Sequence, residues 1–552
     1  MSPTDAGVAF DALVESYYAA WFRFHPERAV DAGVDGYAHL LPPCGDDDLG
    51  ALLSLDENLL ASLEDFDYAD LDADRRIDFD VLYGAVHVET HELHEFDWRF
   101  HDPVRFLPVE ALHQLLLRPV RNFAEALKSR LARVPEHLRA ARGYLSQSPE
   151  LIPVLWLETA IGSARAGAEY VRALEHHPKV HQALANPESL HPLLEQAAGA
   201  LVEYANYLEG ELHGQAQGDF ACGRTQFDRL LRYRHFLELD ADGLHAFGER
   251  LVEQTRRELR DLCRELTGSE DVHALLARMQ AEHPSADGLL DAYRQSVQAA
   301  REFLVRHDLV TLPERETLKV VETPPFLRNQ IPFAAYVEPA PNDADQCGHY
   351  YVTPVSGPEQ LAEHNVFGIA HTGVHEAWPG HHLQFVTAHS RAASRSLPRL
   401  LNPSATLYEG WALYGEQLMQ ERGFLSRPES RCLLLRDRLW RALRIVLDVE
   451  LHTRGLGLDA AAERMVEELG FGYSQAMGEL AWYSRAPTVP MGYATGWALI
   501  NAVRERLRVE QPGLSLREFH DRLLAVGSVA LPRVLRRQFG DDLYESVQNM
   551  LF

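Results

Sequence analysis

Apolar residues recur every three to four positions along most of this chain, the spacing that lines one face of an α-helix. "FDALVESYYAAWFRF" from Phe10 to Phe24, "DRRIDFDVLYGAVHVETHELHEF" from Asp74 to Phe96 and "HPLLEQAAGALVEYANYLEGEL" from His191 to Leu212 all show it. The stretch from Gly243 to Leu304 continues it, with a break at "EHPSADG". No repeat of fixed period is present, which disfavours a helical solenoid. The pattern changes between Glu316 and Pro358. There "TLKVVETP", "FAAYVEPA" and "GHYYVTPV" are short, β-branched or aromatic, and bounded by Pro, Gly, Asn and Asp. They predict the strands of a small sheet. Helical spacing returns in "EQLAEHNVFGIAHTGVHEA" and again from Ala405 to the end. The expected fold is mainly α, with a small β-sheet ahead of one particular helix. No Gly/Ser linker separates independent domains. Residues 1–310 read as a helical N-terminal lobe and 311–552 as a second lobe of one interlocked body.

Composition narrows the class. The chain has 552 residues, 46% hydrophobic and 24% charged, ordinary values for a folded protein. Its net charge of −28 repels phosphates and anionic lipid, so neither nucleic acid nor a membrane is an expected partner. The five cysteines, Cys44, Cys222, Cys263, Cys347 and Cys432, form no C-x-x-C pair and suggest neither a disulfide framework nor a thiolate metal site. The start, "MSPTDAGVAFDALV", shows no basic and apolar leader pattern, and no apolar run approaches a membrane span. The cytoplasm is the expected location, and oligomeric state is left open.

Candidate chemistry is concentrated in "HEAWPGHHLQ", His375 to Gln384. Catalytic zinc takes three protein ligands, commonly imidazole and carboxylate, and keeps one position open. In H-E-x-x-H, two histidines four residues apart share a helix face, and the Glu between them takes a proton from water. Here Pro379 occupies the second histidine's slot. On an unbroken helix His381 would lie about 9 Å along the axis from His375 and on another face. His382 would share the face but lie about 10.5 Å away. Proline cannot continue the hydrogen-bond ladder, and Gly380 admits unusual backbone angles, so "PG" predicts a bend that folds a later histidine back. Either His381 or His382 can be that histidine. "LYEGWALYGEQL" offers Glu409 as a third ligand, and Glu416 two turns on as a group that orients a ligating histidine. His371, one turn before His375, is a rival ligand or an outer histidine.

"HEAWPGHHLQ" and "EGWALYGE" closely resemble the signature of a bacterial family catalogued as domain of unknown function 885. That family resembles the helical zinc peptidases with two His and one Glu ligand, among them thimet oligopeptidase, neurolysin, the Taq-type carboxypeptidases and angiotensin-converting enzyme. The likeness is strong from about Tyr336 to Leu507 and rests on helical, acidic character in the N-terminal half. It implies a two-lobed metallopeptidase-like fold with a deep cleft. It implies His375, His381 and Glu409 as ligands of one zinc ion, and Glu376 as general base. The relatives place Gly directly before the second ligand, which favours His381; His382 would then donate to substrate or support the site. "YSRAPTVPMGYATGWALI" resembles a further family segment, with Tyr483, Pro487, Tyr493 and Gly496 matching. Thr488 and Val489 depart from its Gly-Gln, and Trp482 stands where Arg is common. The resemblance makes Tyr493 the expected donor to the tetrahedral oxyanion. It also places Tyr350 or Tyr351 of "GHYYVTP" on the cleft.

The expected function is zinc-dependent hydrolysis of short peptides. Two alternatives remain: a metal-dependent amidohydrolase acting on a non-peptide amide or modified amino acid, and a non-catalytic scaffold with a degenerate peptidase fold.

Overall fold

Asp72 opens the helix Ala73–Glu95 by accepting from the amides of Asp74 and Arg75, two of the donors a helix start leaves without partners. Asp240 does the same for Ala241–Thr267 through Gly243, and Gly268, at φ 76°, closes that helix in the left-handed region. The computed structural model describes residues 3–324, 328, 331, 333–355 and 357–552. They are mainly helical, as the periodicity predicts. Among them no helix is long and apolar enough to cross a membrane.

The chain divides into two units, 1–220 and 221–552. In the first, helices Phe123–Leu145 and Val154–Ala173 pack on His191–Tyr207, whose buried face carries Leu194, Ala197, Leu201 and Tyr204. The second unit begins about 90 residues before the position drawn from the sequence pattern. The reason is the packing of Ala241–Thr267 along Pro428–Thr453. There Gly248 lets the two backbones approach, since a Cβ would come within 2.8 Å of Ile445.

The expected sheet is present in this second unit. β1 is Glu316–Glu322, β2 Ala334–Val337 and β3 Gln346–Val352. The order is β1-β3-β2, with β1 parallel and β2 antiparallel to β3. Burial alternates along β3 from Gln346 to Val352, so Gly348 and Tyr350 face the interior while His349 and Tyr351 face outward. After the sheet in chain order come the motif helix Val366–Glu376, the return helix His381–Ser390, which packs on β3, the carboxylate helix Ala405–Glu421, the arginine helix Pro428–Thr453 and the tyrosine helix Gly492–Glu510.

Candidate metal centre

The motif helix is capped by Asn365, whose side chain accepts from the Gly368 amide at 2.9 Å. It ends at Glu376, because Ala377 leaves the helical region at φ −107°, ψ −96°. The Trp378–Pro379 peptide is cis. Gly380 then donates back to the Val374 carbonyl at 3.0 Å, and the return helix starts at His381. A Cβ on Gly380 would overlap the His375 carbonyl, so only glycine lets the chain turn this tightly on the helix it has just left. The turn is fixed from the side by the carboxylate helix. Trp411 Nε1 donates to the Pro379 carbonyl at 2.7 Å, and Gly415 leaves room for the Pro379 ring.

This local fold puts the imidazoles of His375 and His381 4.7 Å apart between centroids, their planes nearly perpendicular. Glu409 Oε2 lies 3.5 Å from His375 Nε2 and 3.4 Å from His381 Nε2. Two ligands about 2.1 Å from one ion at a tetrahedral angle stand about 3.4 Å apart, so the three donors are spaced as a zinc ion requires. Glu409 Oε2 is buried and has no hydrogen-bond partner, a costly state for a carboxylate that a cation would relieve. His375 Nδ1 donates to Glu416 Oε1 at 2.8 Å, which leaves Nε2 free to ligate. The residues therefore fit the ion.

Electrostatics agree with the geometry. Burial alone would lower the His375 pKa, but the Glu409 and Glu416 carboxylates outweigh it and raise it to about 10. Burial would likewise raise Glu409, yet His381 and His375 hold it well below the ordinary carboxylate range. Without metal the pocket stabilises positive charge where an ion would sit.

The remaining expected residues separate clearly. Glu376 is half-buried beside His375. His382 does not join the cluster. Fully buried, it donates through Nε2 to Glu316 Oε2 at 3.0 Å and accepts at Nδ1 from the Tyr336 hydroxyl at 3.2 Å. Both ring nitrogens are thus spent on the sheet, an arrangement that matches the second of its two expected roles, support of the site, better than donation to substrate. His371 is an outer group: Nε2 donates to the Ser430 carbonyl at 3.0 Å, and Nδ1 faces Glu416 Oε2 at 3.6 Å. Tyr350 is fully buried against Tyr293, whereas Tyr351 is half-buried on the opposite face of β3. Tyr483 is also fully buried, accepting from Arg444 Nε at 2.8 Å and Trp440 Nε1 at 3.2 Å, so it supports an arginine instead of a substrate.

Tyr493 is brought toward Glu409 by two glycines on its helix. Gly492 lies against Ala405, and Gly496 against the Thr406 carbonyl and Gly410. Burial, with the nearby Glu409 carboxylate adding to it, raises the Tyr493 hydroxyl well above its ordinary pKa. At neutral pH it is a hydrogen-bond donor. Glu316 and the Arg441–Arg444 pair were not singled out from the sequence. Glu316 sits in an unremarkable strand, and arginines are frequent enough here to hide two buried ones.

A second group of potential ligands, His245, Glu249 and Glu450, is partly exposed. Its carboxylates already face Arg464, Glu249 at 2.8 Å and Glu450 at 3.4 Å.

The family model for bacterial proteins of unknown function DUF885 matches residues 26–538, extending the likeness through most of the N-terminal half. No curated protein matches the chain. Among solved structures, a candidate lipoprotein of unknown function from Shewanella oneidensis superimposes with a TM-score of 0.79 at 20% identity, over 96% of this chain and 99% of that one. A candidate lipoprotein from Colwellia psychrerythraea gives a TM-score of 0.79 at 17% identity, over 99% of both chains. At these identities the likeness speaks to the fold alone.

Proposed function

We propose that this chain, which belongs to the bacterial DUF885 family of unknown function, is a zinc-dependent peptidase acting on short peptides. The observation that carries the reading is the convergence of His375, His381 and Glu409 at zinc-ligand spacing, with Glu376 directly following the first ligand. Zinc bound there would polarise the scissile carbonyl and make water acidic enough to attack near neutral pH. Glu376 accepts the proton from the attacking water. The water oxygen joins the carbonyl carbon, the C–N bond breaks, and Glu376 returns the proton to the leaving nitrogen. Tyr493, protonated at neutral pH, donates to the oxygen that gains charge. The His375–Glu416 hydrogen bond fixes the imidazole's tautomer throughout.

The sheet supports a peptide substrate. Among the described residues β2 pairs only with β3 and is an edge strand of the sheet, the kind of position at which an extended peptide can add a strand. Tyr336 in β2 touches His382, the neighbour of a proposed ligand, which ties that edge to the metal site.

Metal analysis of the full chain should give one zinc per molecule. Glu376→Gln should retain that zinc while kcat on a short-peptide panel falls by about 10²–10⁴-fold. Absence of divalent metal above background, or undiminished hydrolysis by Glu376→Gln, would overturn the reading.

A further inference from the structure

Arg441 and Arg444 lie three residues apart on the arginine helix and share two aromatic rings. Their guanidinium carbons stand 4.1 and 4.4 Å from the Trp440 ring centroid. They stand 5.9 and 4.5 Å from that of Tyr493, the proposed oxyanion donor. The side chains are 12% and 5% exposed. Aromatic faces hold cations well, but they do not use up guanidinium N–H groups.

The hydrogen bonds of the pair are incomplete. Arg444 spends Nε on the Tyr483 hydroxyl at 2.8 Å and Nη2 on Glu479 at 3.0 Å, while Nη1 is buried without a partner. Arg441 has both Nε and Nη1 buried without a hydrogen bond. The carboxylate of Asp437 is 4.0 Å from Arg441 Nη1 and lies 2.6 Å from Arg436 Nε. Two like charges one helical turn apart repel each other, and each buried unpaired donor adds a desolvation cost. Three such nitrogens lie on the two arginines packed against Tyr493, and an anion bound to them would supply the missing partners. Arginine's planar fork suits a carboxylate best.

We propose that Arg441 and Arg444 form a carboxylate subsite that holds the free C-terminus of the peptide, so that the enzyme trims C-terminal residues and does not cut within long chains. The proposal rests on the peptidase reading of the metal site. Tyr493 connects the two regions, having Arg444 against its ring and Glu409 within electrostatic range. A peptide terminus seated on the arginines places its last amide bonds next to that tyrosine. The same chemistry would accept an acidic side chain, so the test separates the two sources.

The test uses the zinc-loaded full chain carrying Glu376→Gln, which binds peptide without turning it over. Calorimetric titration compares a tripeptide acid, its C-terminal amide, and an amide whose last residue is Glu. The acid is expected to bind at least tenfold more tightly than either amide. Adding Arg441→Met should erase that preference with zinc content unchanged, and Arg441→Lys should restore part of it. Equal binding of the acid and both amides overturns the subsite, as does a preference shown only by the Glu-bearing amide. Wild-type turnover keeps the two readings distinguishable. Peptide acids and amides cleaved at equal kcat/KM remove the subsite and leave the peptidase. A retained acid preference in binding, with no peptide cleaved, removes the peptidase and leaves the subsite.

Discussion

Glu416 shows how much a residue can govern without touching a substrate. One carboxylate oxygen holds His375 Nδ1, and the other faces His371 at 3.6 Å. Burial would raise its pKa, but the two histidines hold it low, so it is an anion that fixes His375 with Nε2 toward Glu409. Glu416→Ala should weaken zinc binding by about 10–100-fold, measured by competition with a chelator. Unchanged affinity would show that the His375 ring is oriented by packing alone. Asp448, on the arginine helix, poses the opposite case. Burial raises its pKa well above the usual carboxylate range, only partly offset by amides that include Thr488, and Oδ2 has no partner. His452 Nε2 lies 3.9 Å from Asp448 Oδ1, while its ring donates to the Tyr483 carbonyl and accepts from the Cys222 amide at Nδ1. The folded state therefore keeps a proton that the unfolded chain releases above about pH 4. Stability from this group is complete below that pH and is lost as pH rises toward the folded pKa, by about 1.4 kcal/mol per pH unit. Asp448→Asn should thus gain stability relative to wild type between pH 5 and pH 7, read from urea midpoints. A pH-independent difference would mean that Asp448 is ionised in the fold.

At the scale of elements, the site depends on where backbones can touch. "EGWALYGE" reads in the structure as a division of labour: Glu409 faces His375 and His381, Gly410 meets Gly496, Trp411 ties down Pro379, Gly415 makes room for its ring, and Glu416 orients His375. A Cβ on Gly496 would overlap the Thr406 carbonyl. Gly496→Ala should therefore push the tyrosine helix off the carboxylate helix, costing about 1–3 kcal/mol or more. It should lower kcat through Tyr493 while zinc stoichiometry stays at one. Loss of zinc with unchanged kcat per bound ion would refute that assignment. These contacts explain what was legible. The bend at Pro379-Gly380 follows from covalent geometry, and so could be read from sequence. Which histidine follows the bend to His375 and Glu409 could not, because it depends on Glu316 and Tyr336 capturing His382 from strands more than 40 residues away. The arginine pair was invisible for the same reason: a buried arginine in an arginine-rich helix has no local mark.

At the scale of the molecule, periodicity located most helices and all three strands but not the division into units. A helix carries in its sequence the fact of an apolar face and nothing about which partner covers it. Ala241–Thr267 therefore read as part of the N-terminal lobe, although its partner is a helix some 180 residues later. The placement has a thermodynamic consequence. His375, His381, Glu409, Glu416 and Tyr493 all belong to residues 221–552, and residues 1–220 have a core of their own. An ion that binds only the folded site stabilises the unit that builds it, by about 4 kcal/mol at a thousandfold excess over Kd. Calorimetry of the full chain should then show chelation lowering the transition of the second unit by several degrees, while that of the first stays in place. His381→Ala should lower the same transition and abolish its response to zinc. If chelator and His381→Ala leave every transition where it was, the cluster holds no metal that matters to the fold.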